Sequence, residues 1–224
     1  MSATDVLRKV PLFSDLSEAE LARFAEVTRE REYPKNSVIL FEDDPGDALY
    51  IVSTGQVKVV LIGEDGREVI LSVLGDGDFF GEMALIDDEP RSAHVIAMRD
   101  SQLLVLRRDD FQAQLVAQPK IGLKLLRVLV QRLRRADEKI GGLVLLDVNG
   151  RVARLLLDMA DEGGGPKITR RLTHHTIAQM IGSSRETVSR AMRELVDRGF
   201  IDVTRREISI RNRDGLASLA GARP

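Results

Sequence analysis

The 224-residue chain is long enough for one large domain or two modest ones, at about 150 residues per domain. With 43% apolar and 30% charged residues it has ordinary globular composition, which excludes wholesale disorder. The absence of cysteine excludes disulfides, thiolate-held iron–sulfur clusters, cysteine-ligated zinc and cysteine nucleophiles. Only His94, His174 and His175 could contribute imidazole to a metal, so no metal site is expected. Apolar runs such as 143–146 fall far short of the roughly 18 residues that cross a bilayer, and the acidic N-terminus does not read as a secretory leader. A cytoplasmic protein with no membrane partner is expected. Charge is asymmetric: residues 151–224 carry 14 Lys and Arg against 9 Asp and Glu, whereas residues 1–150 carry 19 against 26. A basic C-terminal part on an acidic N-terminal part suggests a polyanion-binding module fused to one that does not touch the polyanion.

In chain order, residues 7–31 read as helical, with Ser17, Glu18, Ala19 and Glu20 forming a capping-box start. From Pro34 to about Arg108, apolar stretches such as Leu49-Tyr50-Ile51-Val52 and Val57-Lys58-Val59-Val60-Leu61 alternate with Gly and Asp turns. Short strands at roughly ten-residue spacing predict an antiparallel sandwich or barrel. Within it, residues 80–93 read FGEMALIDDEPRSA. A helical turn at 82–85 after Gly81 would present backbone N–H groups to an anion. Arg91 offers a charged fork, Ser92 a hydroxyl and Glu82 an acceptor for a sugar hydroxyl. On the residues alone, a turn carrying a surface ion pair accounts for this segment equally well.

A long helix is predicted from Pro119 to about Leu143. Leu126, Leu129, Leu133, Ala136, Ile140 and Leu143 recur at alternating three- and four-residue steps, as in a two-helix seam. Leu125, Val128 and Val130 give the helix a second apolar side, so one face can meet the parent domain and the other a second copy of the chain. The alternative is a single helix packed on its own domain. Residues 147–150 read as a hinge, 152–160 as a further helix and 161–166 as a loop.

Residues 173–198 carry the strongest local signal. Ile177, Ala178, Ile181, Val188 and Ala191 suit two short helices packed together. Gly182 permits the sharp turn between them, giving a helix-turn-helix over 176–181 and 184–198. Ser183 and Glu186 are expected to form a capping box for the second helix. Two short apolar runs at 200–203 and 207–210 flank Thr204, Arg205 and Arg206, which predicts a wing. A recognition helix presents its first turns to base edges. Arg185 suits guanine O6 and N7, Glu186 a cytosine amino group, and Arg190 a further guanine or a phosphate. Thr173, Ser184, Thr187 and Ser189, with Arg205 and Arg206 on the wing, are candidate phosphate contacts. The alternative is that both arginines are solvated and Glu186 only caps.

Taken together, FGEMAL…PRSA, LDVNGRVARLLL and GSSRETVSR make the chain resemble the CRP/FNR family of bacterial transcription regulators, and within it the cyclic-AMP receptor branch. The resemblance runs from about Val10 to Arg211. It implies an α+β fold: an N-terminal antiparallel β-roll or sandwich of the cyclic-nucleotide-binding type, a long dimerisation helix and a C-terminal winged helix-turn-helix. The corresponding domains are 1–118, 119–146 and 147–224. It further implies that Gly81, Glu82, Arg91 and Ser92 hold a cyclic phosphate and ribose, that Met83 and Ala84 add backbone contacts, and that Arg132 pairs with Glu82. Arg185, Glu186 and Arg190 match the base-reading trio, implying palindromic sites with TGTGA-type half-sites.

There is one departure from the pattern. Where the receptor branch places a Thr-Ser pair against adenine, this chain has Ala136 and Asp137, and an ionised Asp137 can only accept hydrogen bonds. The departure leaves the base open while the phosphate end matches the pattern, so the resemblance implies a cyclic nucleotide as effector, cyclic AMP or another, with no cofactor. The other reading keeps the architecture but is independent of nucleotide or answers a different effector. Expected partners are double-stranded DNA, a second copy of the chain and RNA polymerase, the last through Arg29, Arg31 and the loop at 162–166. Lack of a cysteine set places the chain outside the iron–sulfur branch, and His94 is not expected to bind haem. An enzyme acting on cyclic nucleotides lacks the His/Asp cluster or paired nucleophile that hydrolysis needs, so no enzymatic activity is expected.

Overall fold

The computed structural model describes residues 2–169, 172–204 and 207–221, and the chain divides into two compact units, Met1–Arg132 and Leu133–Pro224. The first unit opens with α1 (Ala3–Lys9), a 3-10 turn (Pro11–Phe13) and α2 (Glu18–Val27). Eight strands follow: β1 (Thr28–Tyr33), β2 (Val38–Leu40), β3 (Ala48–Thr54), β4 (Val57–Ile62), β5 (Glu68–Leu74), β6 (Phe79–Phe80), β7 (His94–Ala97) and β8 (Ser101–Arg107). The short helix α3 (Met83–Ile86) lies between β6 and β7, and α4 (Arg108–Ala117) follows β8. The long helix α5 (Pro119–Leu145) begins in this unit and ends in the second. Two antiparallel sheets result, with strand orders β1-β8-β3-β6 and β2-β7-β4-β5.

Side chains of a strand alternate between its two faces, and β3 and β8 bury both. Leu49, Ile51, Leu104 and Leu106 face a core built with Leu7, Phe13, Phe24, Phe111, Ile121 and Leu125 from the helices. Ala48, Tyr50, Val52, Leu103 and Val105 fill the other core with Leu40, Val57, Phe80 and Val95. This two-sided burial is why β3 and β8 read as unbroken apolar runs.

The stretch 7–31, expected to be helical, instead holds the end of α1, the 3-10 turn and α2, interrupted at Val10 and at 14–17; α2 stops at Val27, and residues 28–31 belong to β1. The sequence Thr-Arg-Glu-Arg-Glu-Tyr hides the strand because β1 is an edge strand paired only with β8 and exposed over its four central residues. The capping box at the start of α2 forms as expected: the Ser17 hydroxyl accepts from the Glu20 N–H, and a Glu20 carboxylate oxygen accepts from the Ser17 N–H at 2.6 Å. Ser17→Ala should lower stability by about 1 kcal/mol, measured by urea unfolding at neutral pH. Hydrogen bonds from the Ser17 backbone and hydroxyl, then from Lys120, pull the Glu20 carboxyl down to about 2 from its ordinary 4.5. Its contribution is therefore complete above that ordinary value and fades as the pH falls toward 2.

The second unit contains the end of α5, then α6 (Val148–Glu162), β9 (Lys167–Ile168), α7 (His174–Ile181), α8 (Arg185–Asp197), β10 (Ile201–Val203), β11 (Ile208–Ile210) and α9 (Arg213–Leu219). The strands form a small antiparallel sheet in the order β10-β11-β9. Val152, Ala153 and Leu156 of α6 pack with Ile177, Ala178, Ile181, Val188, Ala191 and Leu195 of α7 and α8. The hinge expected over 147–150 is shorter than anticipated. The Asp147 carboxylate accepts from the Gly150 N–H at 2.8 Å, capping α6, so only residues 146–147 separate the two helices. Gly182 adopts φ +63°, ψ +53°, a left-handed conformation that ends α7 at little cost for a residue without Cβ.

Candidate anion site and nucleic-acid interface

The segment after β6 turns at Gly81 (φ +84°) into the single turn of α3, where Glu82 occupies the N-cap position without capping by its side chain. Arg91 lies beneath this turn and is only 4% exposed. Its Nη1 donates to the Gly81 carbonyl at 2.7 Å. Nη2 donates to the Ala48 carbonyl at 2.9 Å and to the exposed Asp47 carboxylate at 3.3 Å. Its Nε is buried and has no hydrogen-bond partner. A surface ion pair between Arg91 and Glu82, the alternative reading of this segment, does not form, since Arg91 is buried and Glu82 pairs with Arg132. Arg91 is a buried cation whose Nε donor is unspent, and burial of a charge is tolerated only where partners supply hydrogen bonds. The guanidinium also lies 5.9 Å from the centroid of Tyr50, which stacks on Phe80. Burial, then the nearby Asp47, pushes the Tyr50 phenol above its ordinary value, so the ring stays neutral.

Glu82 is 2% exposed, and its Oε1 accepts from Arg132 Nη1 of α5 at 2.7 Å. Arg132 also donates through Nη2 to the Phe79 carbonyl and lies over the Phe79 ring, 4.7 Å from its centroid. The pairing of Arg132 with Glu82 is the one the sequence resemblance implied. A carboxylate accepts about four hydrogen bonds, so Glu82 keeps capacity for a hydroxyl group. Met83 is exposed, Ala84 buried, and the exposed Ser92 places its hydroxyl 3.9 Å from the Met83 sulfur. Ala136 and Asp137 are exposed on the part of α5 that belongs to the second unit.

Sequence reasoning missed Arg108. From the start of α4 it donates to the Gly46 carbonyl (3.1 and 2.7 Å) and to the Ala84 carbonyl (2.7 Å), and it pairs with Asp88. These partners lie 20 to 62 residues away in sequence, so no local pattern announces them. His94 is committed elsewhere: its Nδ1 accepts from the Glu42 N–H at 3.1 Å and its Nε2 lies 3.5 Å from the Glu42 carboxylate. Among the described residues no cluster of three or more potential ligands could hold a metal ion.

In the second unit, α8 buries Val188, Ala191, Met192 and Leu195 and turns Arg185, Glu186 and Arg190 outward to solvent. The capping box expected of Ser183 and Glu186 does not form. Ser184, with extended backbone, is the N-cap, its hydroxyl accepting from the Thr187 N–H at 3.1 Å, which leaves Glu186 at the second helical position, one short of where a capping box needs it. Glu186 is consequently not used as a cap. Thr173 caps α7 in the same way, accepting from Thr176 N–H at 3.1 Å. The side chains of Thr173, Ser184 and Thr187 therefore bond locally first, while Ser189 is partly exposed on α8. Strands β10 and β11 pair as the wing; Arg205 and Arg206 lie outside the described residues.

Along α5, Leu126, Leu133, Ile140 and Leu143 are 59%, 62%, 60% and 52% exposed, and Ala136 is exposed among them. Leu129 is partly buried against the helical core of the first unit, as is Val128, whereas Val130 stays half exposed. Among the described residues no helix is long and apolar enough to cross a membrane.

The family model for the cyclic nucleotide-binding domain matches residues 30–118, and that for the Crp-like helix-turn-helix domain matches residues 150–219. The chain is 33% identical over 221 residues to the CRP-like cAMP-activated global transcriptional regulator of Mycobacterium tuberculosis, covering 96% of this chain and 99% of that one. Among solved structures it is similar to FixK2 from Bradyrhizobium japonicum (TM-score 0.78, 27% identity, 88% of this chain and 100% of that one). It is also similar to the c-di-GMP responsive global regulator CLP of Xanthomonas campestris (TM-score 0.75, 26% identity, 87% and 99%). Sheets carrying a cyclic nucleotide-binding domain and a C-terminal helix-turn-helix together define a DNA-binding transcription regulator. The class is one of regulators rather than enzymes. The chain belongs to the CRP/FNR family.

Proposed function

We propose that the protein is a homodimeric regulator whose DNA binding is gated by a cyclic nucleotide, cyclic AMP first, held in a sensor domain at 1–118. In this reading 119–146 is the dimerisation helix and 147–224 the reader. The observation that carries it is the buried Arg91 guanidinium with an unspent Nε beside Gly81 and Glu82. A cyclic phosphate supplies the acceptor that this donor lacks, and the remaining Glu82 lone pairs suit a ribose hydroxyl. Met83, Ala84 and Ser92 complete the cradle, and Arg132 fixes Glu82. Leu126, Leu129, Leu133, Ala136, Ile140 and Leu143 form the seam with a second copy. Ligand shifts a two-state equilibrium at the junction 146–147, so that both α8 helices reach major grooves one helical turn apart on palindromic TGTGA-type sites.

Arg185, Glu186 and Arg190 read bases, while Thr173, Ser184, Thr187, Ser189, Arg205 and Arg206 contact phosphates. RNA polymerase is met through Arg29, Arg31 and the loop at 162–166, and the protein acts in the cytoplasm. The test is calorimetric titration with cyclic AMP followed by operator gel shifts with and without it; DNA affinity unchanged by any cyclic nucleotide ends the gated reading. Arg185→Ala should lose about 1–3 kcal/mol of discrimination at one guanine of each half-site, measured by gel shift against the base-changed site.

A second reading keeps the architecture and changes the effector. It rests on Ala136 and Asp137, which replace a hydroxyl pair with a methyl group and an acceptor, and on the similarity to a regulator described as c-di-GMP responsive. Asp137 suits the N1–H and amino group of guanine. A thermal-shift panel of cyclic mononucleotides and dinucleotides separates the readings, since a ligand that binds only the folded state raises its melting temperature.

A further inference from the structure

Two arginines lace the same pair of chain segments together. Arg91 ties Ala48 to Gly81 through their carbonyls, and Arg108 ties Gly46 to Ala84 in the same manner. The segments also touch directly, since a Cβ on Gly46 would collide with the Ala84 methyl group. Arg108 additionally pairs with Asp88 just beyond α3, and its own N–H donates to the Asp47 carbonyl at 2.8 Å. A helix of one turn has almost no stability of its own, so these ties decide where residues 81–86 sit.

The two ties differ in what an anion does to them. A guanidinium has two edges that grip an anion bidentately, and both include Nη2. In Arg91 both Nη2 hydrogens are committed, one to the Ala48 carbonyl and one to the Asp47 carboxylate. A bidentate anion therefore displaces Asp47 or Ala48, and the 46–48 segment loses a tie at the moment of binding. Arg108 makes no contact that an anion on Arg91 would compete for. The geometry points to Arg108 as the positioning residue that keeps the 81–86 turn registered on 46–48 once Arg91 is engaged. This inference rests on the proposed anion site at Arg91.

The consequence is state-specific. In the free protein either arginine keeps the two segments in register, so Arg108→Met, which leaves the Gly46 and Ala84 carbonyls short of a donor, should lower the unliganded melting temperature no more than Arg91→Met does. In the bound state the Arg91 tie has lost a partner and Arg108 carries more of the hold, so the same variant should bind cyclic AMP about tenfold more weakly, the size expected for losing one or two charge-assisted hydrogen bonds to backbone. Amide hydrogen exchange at Met83–Ile86 gives the second readout. It should quicken slightly in Arg108→Met, slightly in Arg91→Met, and by much more than the product of the two in the double variant. A residue that merely supports the fold would lower the melting temperature and leave the affinity of the folded fraction untouched. Affinity within twofold of wild type overturns the proposal. If wild-type protein binds neither cyclic AMP nor cyclic GMP, the anion-site reading fails instead. The lacing is then judged on unliganded exchange alone, where multiplicative rather than synergistic effects refute it.

Discussion

Arg91→Ala should abolish cyclic-nucleotide binding, with affinity falling at least about a hundredfold. Hydrogen bonds to a charged group are worth about 1.5–3 kcal/mol each, and a forked phosphate uses two. The substitution has a second cost. With the side chain gone, the Gly81 and Ala48 carbonyls lose their donor in a site where Arg91 itself is 4% exposed. Each buried acceptor left unsatisfied costs about 1–3 kcal/mol. The variant should therefore also unfold at lower urea concentration. Arg91→Lys separates the two effects, because lysine keeps the charge and can serve one carbonyl but cannot fork an anion. Calorimetry on both variants should show binding lost in each, while the lysine variant recovers part of the stability. If DNA affinity is unaffected by either change, the nucleotide-independent reading takes precedence.

The second large effect is expected on α5. Leu133→Glu combined with Ile140→Glu should convert the protein to monomer, read by sedimentation, and raise the dimer dissociation constant by about a thousandfold or more. Burying one Leu or Ile side chain is worth about 1.5–3 kcal/mol, each helix contributes both residues, and carboxylates at these positions would have to be desolvated. The substitutions should leave the fold of the single chain intact because Leu133 and Ile140 are 62% and 60% exposed in it. Circular dichroism and the melting profile at low concentration check that point. DNA affinity for a palindrome should collapse in parallel, since two half-sites must be held at once. A double variant that stays dimeric removes α5 as the interface.

Much of the architecture was legible because burial writes itself into apolar periodicity. The two-sided burial of β3 and β8 appears as Leu49-Tyr50-Ile51-Val52 and Leu103-Leu104-Val105-Leu106, and the left-handed turn after α7 appears as Gly182. Strand β1 did not, because an edge strand satisfies its hydrogen bonds on one side and can leave polar side chains in water. The start of α6 was displaced for a similar local reason: Asp147 looks like a breaker until its carboxylate is seen capping Gly150. At the proposed anion site the Arg132–Glu82 pair was anticipated, but the depth of Arg91 was not. Depth depends on the Ala48 and Gly81 carbonyls and the Tyr50 ring meeting around Arg91, which is a property of tertiary packing. Arg108 and Asp47 were invisible for the same cause: Arg108 reaches the cassette largely through the Ala84 carbonyl, a group every residue possesses, and Asp47 meets Arg91 from 44 residues away in the sequence.

Helix α9 brings backbone against the beginning of α6. A methyl group on Gly150 would meet the Leu219 carbonyl at 2.7 Å, and Arg154 donates to the Ala220 carbonyl at 2.7 Å. A side chain at Gly221 would itself meet Leu146, in the two-residue junction between α5 and α6, at 3.1 Å. A fluorophore or linker placed at Gly221 therefore presses on that junction. An attachment point at the Gly63–Gly66 turn between β4 and β5 avoids that interference.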